Sequence, residues 1–179
     1  MTSESDRQLL LRIARAAIAA HITGAATPPC DEGSLVARRG GAFVTIHSHG
    51  ELRGCIGHIE ADERLVDVVA RSAAAACSTD PRFAAVTASE LPYLAIELSL
   101  LGPLELIQSP GDIEIGRHGL IVEMGGHRGL LLPQVASEWK WDVEMFLAQT
   151  CHKAGLPRDA WKQDATLWRF EAEVFGEAR

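Results

Sequence analysis

The sequence is short of most features that mark specialised classes of protein. Aromatic residues make up only 6% of its 179 residues within a hydrophobic share of 47%, so the apolar content is aliphatic and alanine-rich, which suits close helix packing better than a large aromatic groove. Positive charge is also scarce: 17 Lys plus Arg against 24 Asp plus Glu leave a net charge of −7. The basic residues form scattered pairs such as Arg38-Arg39, with no run or helix face able to track phosphates. Duplex nucleic acid is therefore not an expected partner. No long apolar run is present; the stretch Leu65 to Cys77 contains Asp67 and Arg71 and falls short of the about 18 residues a membrane span needs. The N-terminal stretch is polar and acidic, without a positive n-region or apolar h-region, which makes the cytoplasm the expected setting. Cysteine is sparse: Cys30, Cys55, Cys77 and Cys151 lie far apart with no C-x-x-C pair, so neither a zinc ribbon nor an iron–sulfur cluster is indicated. A reducing compartment would leave all four as free thiols. A chain of this length buries about two thirds of its unfolded surface and is expected to fold as one soluble domain, 1–179, without metal or disulfide.

The patterning mixes helices with antiparallel strands. Residues Ser3 to His21 keep helical spacing behind a Ser3/Asp6 capping signal, and Gly24 ends the segment. Residues 25–41, with Pro28-Pro29 and Gly40-Gly41, read as an irregular connection. Ala42 to Ile46 and Glu51 to Ile59 form a hairpin through His47-Ser48-His49-Gly50. Asp62 is the expected N-cap of a helix running to about Thr79, where Asp80-Pro81 stops it. Leu94 to Leu101 alternates as a strand and Ile113 to Ile115 adds a short one. Gly119 to Met124 and Gly129 to Leu132 make a second hairpin with a four-residue loop; a helix starts at Pro133, another is capped by Asp142, and Ala165 to Phe175 closes the chain as a strand. The order is not a regular βαβα alternation, so the expected class is α+β, with a mainly antiparallel sheet flanked by helices.

The most informative stretch is Arg53-Gly54-Cys55-Ile56-Gly57. A period of two puts Arg53, Cys55 and Gly57 on one strand face, with the thiol between glycines that allow close approach of backbone or ligand. A neighbouring guanidinium favours the nucleophilic thiolate. The same pattern also describes a small thiol packed in a tight strand. His118, at a strand entry, could act as its base, although a histidine there more commonly hydrogen-bonds to local backbone. His47, His49, Cys55 and His58 share one hairpin, but a regular strand points Cys55 and His58 to opposite faces, so no metal site is assigned. Cys151 lies beside the apolar stripe of its helix, Lys153 suits a helix C-terminus, and Asp80-Pro81-Arg82-Phe83 reads either as a binding loop or as a helix stop with an anchoring Phe83.

Taken together, Phe43-Val44-Thr45-Ile46, Leu52-Arg53-Gly54-Cys55-Ile56-Gly57, Asp80-Pro81-Arg82-Phe83, Ile115-Gly116-Arg117-His118-Gly119-Leu120, Leu132-Pro133-Gln134-Val135-Ala136, Trp141-Asp142 and Cys151-His152-Lys153-Ala154-Gly155-Leu156-Pro157 resemble the AMMECR-one domain family, the bacterial AmmeMemoRadiSam system protein A. The chain departs from the family pattern at Ala85, where Asp-Pro-Arg-Phe is commonly followed, one residue later, by proline. The resemblance implies an α+β fold with a larger and a smaller subdomain, and a cleft lined in part by the Leu-Arg-Gly-Cys-Ile-Gly string. It implies a cytoplasmic setting and an association with a Memo-like protein and a radical S-adenosylmethionine protein. It implies no particular reaction and no cofactor.

Two functional expectations follow. In the first, the chain is a thiol-dependent enzyme component: Cys55 is the nucleophile, Arg53 activates it or holds an anionic substrate, and His118 moves the proton. In the second, the same cleft is a non-catalytic binding or adaptor site for a small ligand or peptide. Asp80, Arg82, Lys153 and Cys151 are the further candidates for substrate contact in either reading.

Overall fold

The computed structural model describes residues 2–26, 37–59 and 62–177; Cys30 and the Pro28-Pro29 connection lie outside them. The chain is α+β, and it divides into two compact units, Met1–Leu101 with Glu173–Arg179, and Gly102–Ala172.

The first unit is built on helix α1 (Glu4–Thr23), the hairpin β1 (Ala42–Ser48) and β2 (Glu51–His58), helix α2 (Leu65–Ser78) and strand β3 (Leu94–Leu101). Ser3 caps α1 by accepting the Asp6 N–H, and Gly24 ends it in the left-handed conformation, as the sequence signals require. The strand order is β2-β1-β3, all antiparallel, followed by the end of the last strand β7 (Thr166–Gly176). Val44, Ile46, Ile96, Leu98 and Leu100 alternate onto one sheet face and pack with Leu10, Ile18, Leu65 and Val69 from the two helices into one buried core. The opposite face carries Phe43, Thr45, Cys55, Gly57 and Glu97, and is only partly buried.

Helix α2 starts two residues later than its sequence suggests. Its N-cap is Arg64, with no side-chain cap bond, because Arg39 and Arg64 pair in an isolated β-bridge and the Leu65 N–H donates to the Arg38 carbonyl at 2.8 Å. A tertiary contact thus overrides the capping preference of Asp62.

The second unit holds β4 (Glu105–Leu106), β5 (His118–Met124), β6 (His127–Leu131), α3 (Pro133–Glu138), α4 (Val143–Lys153) and most of β7. β5 pairs with β6 and β7, and β4 pairs with β7, all antiparallel. The expected strand at Ile113 to Ile115 is absent; a 3-10 turn at Pro110–Asp112 occupies the approach, and Glu105–Leu106 provides the short pairing instead. The β5–β6 loop is the two-residue turn Gly125-Gly126, both at positive φ, and not four residues long, since Met124 and His127 remain paired. Phe146, Leu147 and Leu120 centre the core of this unit. Among the described residues, no helix is long and apolar enough to cross a membrane.

Candidate functional site around Cys55

The glycines of the Leu52 to Gly57 string have structural partners. A Cβ on Gly54 would stand 2.1 Å from the carbonyl oxygen of Ala76 in α2, and one on Gly57 would stand 2.3 Å from the Phe43 ring. The first lets β2 lie directly against the helix, and the second seats Phe43 across the strand from its register partner. His58 turns towards the same helix, its Nδ1 2.9 Å from the Ser72 hydroxyl, while His49 stacks on Tyr93. His49 and His58 therefore diverge from Cys55.

Cys55 faces the other way. It is opposite Thr45 on β1, whose hydroxyl donates to the Cys55 sulfur at 3.3 Å. Glu97 on β3 is in register with the same threonine. The outward backbone groups of Cys55, at the open edge of the sheet, are taken by the segment after α2. The Cys55 N–H donates to Asp80 Oδ2 at 2.9 Å, and Arg82 Nη2 donates to the Cys55 carbonyl at 3.4 Å. Arg82 also forks onto Asp80, from Nε to Oδ1 at 3.0 Å and from Nη2 to Oδ2 at 2.7 Å. A side-chain pair thus supplies the acceptor and donor that a neighbouring strand would have offered.

This pair is electrostatically asymmetric. The Asp80 side chain is 2% exposed and that of Arg82 is 55% exposed. The Arg82 guanidinium, with the N–H groups of Cys55 and Arg82, holds the Asp80 carboxyl far below the usual carboxylate range despite its burial. Asp80 in turn raises the Arg82 pKa, and Cys55 adds smaller contributions in the same direction. The arginine beside Cys55 is therefore Arg82.

Arg53 is placed differently from the simple alternation. The β1–β2 register jumps from Ile46 opposite Gly54 to His47 opposite Leu52, leaving Arg53 without a cross-strand partner. Such an irregularity re-aims a side chain. The Arg53 guanidinium bonds Glu90 at 2.8 Å and the carbonyls of Ala84 and Ala85 at 2.7 and 3.3 Å. Arg53 and the Thr87 cap together hold the Glu90 carboxyl down at about 2. Arg53 thus ties the loop containing Ala85 to the strand. Glu90 and Thr45 were not singled out in the sequence; the Thr87-x-x-Glu90 capping box was a readable signal for the first, and register opposite Cys55 for the second.

His118, Cys151 and Lys153 belong to the second unit. His118 is 7% exposed at the entry to β5. Its Nδ1 accepts the Glu114 backbone N–H at 2.9 Å, while the His118 backbone N–H donates to the Glu114 carbonyl at 3.0 Å. Burial, then the charges of Arg169 and Arg117, push its pKa down. Cys151 lies fully buried with Val122, Ala154 and Leu156, and burial pushes its thiol up, as it does for Cys77 in the first unit. Lys153 is exposed in the last turn of α4. Among the described residues no cluster of three or more His, Cys, Asp or Glu could hold a metal.

The pattern of close-packed glycines, the Asp80–Arg82 loop and the half-buried Cys55 coincides with a family match: residues 11–175 match AMMECR1. The chain belongs to the AMMECR1 family. A protein of Methanothermobacter thermautotrophicus is 44% identical, with 98% of this chain and 96% of that protein covered. Protein TK0174 of Thermococcus kodakarensis is 42% identical over 95% of this chain and 89% of its own length. The crystal structure of uncharacterized protein PH0010 from Pyrococcus horikoshii is similar at a TM-score of 0.87 and 42% identity, covering 94% of this chain and 90% of that one. The α+β architecture is thus that of the AMMECR1 family.

Proposed function

We propose that this AMMECR1-family chain is a binding module whose working surface is the outer face of β2 around Cys55. Its recognition group is the Arg82 guanidinium, and the complementary ligand group is a carboxylate or phosphate. The observation that carries this reading is the anchoring of a 55% exposed guanidinium by a 2% exposed carboxylate. Nε and Nη2 are engaged with Asp80 and Cys55, which leaves the two N–H groups of Nη1 held in a fixed direction. A cation whose rotamer is set before the ligand arrives loses little freedom on binding. The family resemblance supports a cytoplasmic module serving a Memo-like and a radical S-adenosylmethionine protein, with any radical chemistry on the partner. Thermal shift with sodium succinate and sodium phosphate tests the anion site. The melting temperature should rise with at least one of them, and the rise should vanish in Arg82→Gln but persist in Arg117→Gln. Equal shifts in both variants would remove Arg82 from the site.

A thiol-dependent enzyme component is the second reading, favoured by one observation: the Thr45 hydroxyl donates to the Cys55 sulfur, a bond that stabilises a thiolate. Arg82 would then replace Arg53 as the neighbouring cation. The rate of Cys55 alkylation against pH decides it. A rate that plateaus below pH 8 and depends on Thr45 supports a reacting thiol, whereas a rate like that of a free thiol, with full biological activity in Cys55→Ser, leaves binding alone.

A further inference from the structure

The outer edge of β2 is closed at Cys55 and open at Gly57. β2 ends its sheet, with β1 on its inner side only. Register with β1 is regular from Thr45 opposite Cys55 to Phe43 opposite Gly57, so residues two apart point their backbone groups the same way. The Cys55 N–H points outward, where Asp80 accepts it at 2.9 Å, and the Cys55 carbonyl accepts from Arg82 Nη2 at 3.4 Å. Gly57 shares that outward direction, and among the described residues neither its N–H nor its carbonyl has a hydrogen-bond partner. Unpaired groups of this kind are a template for one more strand.

Arg82 stands where the open edge stops. Its Nε and Nη2 serve Asp80 and the Cys55 carbonyl, and its guanidinium carbon lies 5.4 Å from the centre of the Phe83 ring. The Asp80 charge is already met by N–H groups of Cys55 and Arg82, and the neighbouring Arg53 and Glu90 are paired with each other. The Nη1 donors of Arg82 are therefore what this edge offers to an incoming anion. On the sheet face, the Phe43 ring fills the place of a Gly57 side chain, since a Cβ there would stand 2.3 Å from it. That ring is only partly buried.

With Arg82 as the anion-binding group, on which this further step rests, we propose that the edge of β2 binds the C-terminal tail of a partner protein as one added antiparallel strand that ends at Arg82. The penultimate residue of the tail lies opposite Gly57 and exchanges both backbone hydrogen bonds with it. Its side chain falls on the Phe43 face, because directly paired residues share a face. An internal segment would bring its next paired residue opposite Cys55, about 6.8 Å further on, where Asp80 and Arg82 already hold both backbone groups. A chain that ends one residue past the Gly57 pair avoids this conflict, and its terminal carboxylate arrives beside the guanidinium. The antiparallel direction follows, because the carboxyl end points from Gly57 towards Cys55 while β2 runs the other way. A peptide carboxylate is thereby selected over phosphate, since only a chain end brings the anion and the pairing backbone together.

The test uses the whole chain and a hexapeptide ending in leucyl-alanine, labelled with fluorescein at its amino end and read by fluorescence anisotropy. Its companions are the C-terminal amide, the peptide methylated on the leucine nitrogen, the peptide methylated on the alanine nitrogen, and the dipeptide leucyl-alanine as competitor. The free acid should bind, and the amide should bind about tenfold more weakly or worse. Methylation of the leucine nitrogen, which donates to the Gly57 carbonyl, should weaken binding by a similar factor. The alanine nitrogen points away from β2, so its methylation should leave binding within about twofold. Arg82→Gln should reduce the free acid to the affinity of the amide, and bound free acid should slow exchange of the Gly57 amide proton. Undiminished binding of the leucine-methylated peptide, with the amide still weak, overturns strand addition and leaves Arg82 as a plain carboxylate site. Equal binding of acid and amide, or no loss in Arg82→Gln, overturns the anion-binding role of Arg82 as well. No binding at millimolar peptide overturns the tail as ligand, even where succinate still raises the melting temperature. Competition by the dipeptide at the affinity of the hexapeptide overturns the partner tail in favour of a free small peptide.

Discussion

Replacing Asp80 by asparagine should destabilise the first unit by about 2 kcal/mol at neutral pH, and the deficit should shrink in acid. Asp80 accepts four hydrogen bonds, from Cys55 N, Arg82 N, Arg82 Nε and Arg82 Nη2, at 2.9, 3.1, 3.0 and 2.7 Å. Asparagine has one acceptor oxygen, and its amide would set donors against donors on the other side. Hydrogen bonds to a charged acceptor contribute about 1.5–3 kcal/mol each when a partner is left unmade. Much of that is recovered for Arg82, whose exposed guanidinium returns to water, but whichever way the amide turns, one backbone N–H, of Cys55 or of Arg82, is left facing a donor. At about 2–4 °C per kcal/mol for a chain of this size, the melting temperature should fall by about 4–8 °C. The sign of the pH dependence follows from the depressed carboxyl. Unfolded, Asp80 titrates near about 3.9; folded, it titrates far lower, so its contribution is complete at pH 7 and is lost as pH falls below the unfolded value towards the folded one. About 1 kcal/mol of the wild-type advantage should be gone by pH 3. Calorimetric unfolding of both proteins from pH 7 to pH 3 measures it. Equal melting temperatures at pH 7, or a difference that does not narrow in acid, would refute the assignment of Asp80 as the charged anchor of this edge.

Gly54→Ala should cost about 2 kcal/mol or more, as overpacking against backbone does, because its Cβ would meet the Ala76 carbonyl at 2.1 Å; a melting temperature unchanged from wild type would contradict that contact. Brief iodoacetamide treatment of the folded protein, followed by peptide mapping, should label Cys55 before Cys77 and Cys151, since both of the latter are buried. Labelling of Cys77 or Cys151 at the same rate would count against the packing. The His118 imidazole should titrate below about 6.5 in an NMR pH series, since burial lowers its pKa. Its contribution to stability is then present above that value and declines as pH falls through the folded midpoint; a midpoint at or above the free value would show that the ring is not held neutral on the Glu114 N–H.

Elements whose signals are local were legible in the sequence. Ser3 and Gly24 bound α1, Leu94 to Leu101 alternates along the whole of β3, and Asp142 caps α4. What was not legible depends on distant partners. The start of α2 is moved by a bridge from Arg39. Arg53 leaves the face of Cys55 because of a register jump, which a strict period of two does not reveal. The same limit applies to the glycines, whose spacing advertises close approach while the approaching groups, Ala76 and Phe43, come from other elements. His118 shows the converse: its partner, Glu114, is four residues away, and the local reading of a histidine bonded to backbone describes its geometry.

The Asp80–Arg82 loop joins the fold to the candidate site. β2 pairs with β1 on one side only, and a bare strand edge at Cys55 would offer an N–H and a carbonyl to any other extended chain. A covering strand would satisfy both groups but would put another peptide beside the thiol. Here a buried carboxylate takes the N–H and a half-exposed guanidinium takes the carbonyl, so the edge is closed to strand pairing by two side chains. The same fork that closes the edge fixes the direction of the remaining Arg82 donors. The Asp-Pro-Arg-Phe motif therefore needs both charged residues: Asp80 without Arg82 would be a buried, unpaired charge, and Arg82 without Asp80 a mobile surface cation with no fixed relation to Cys55.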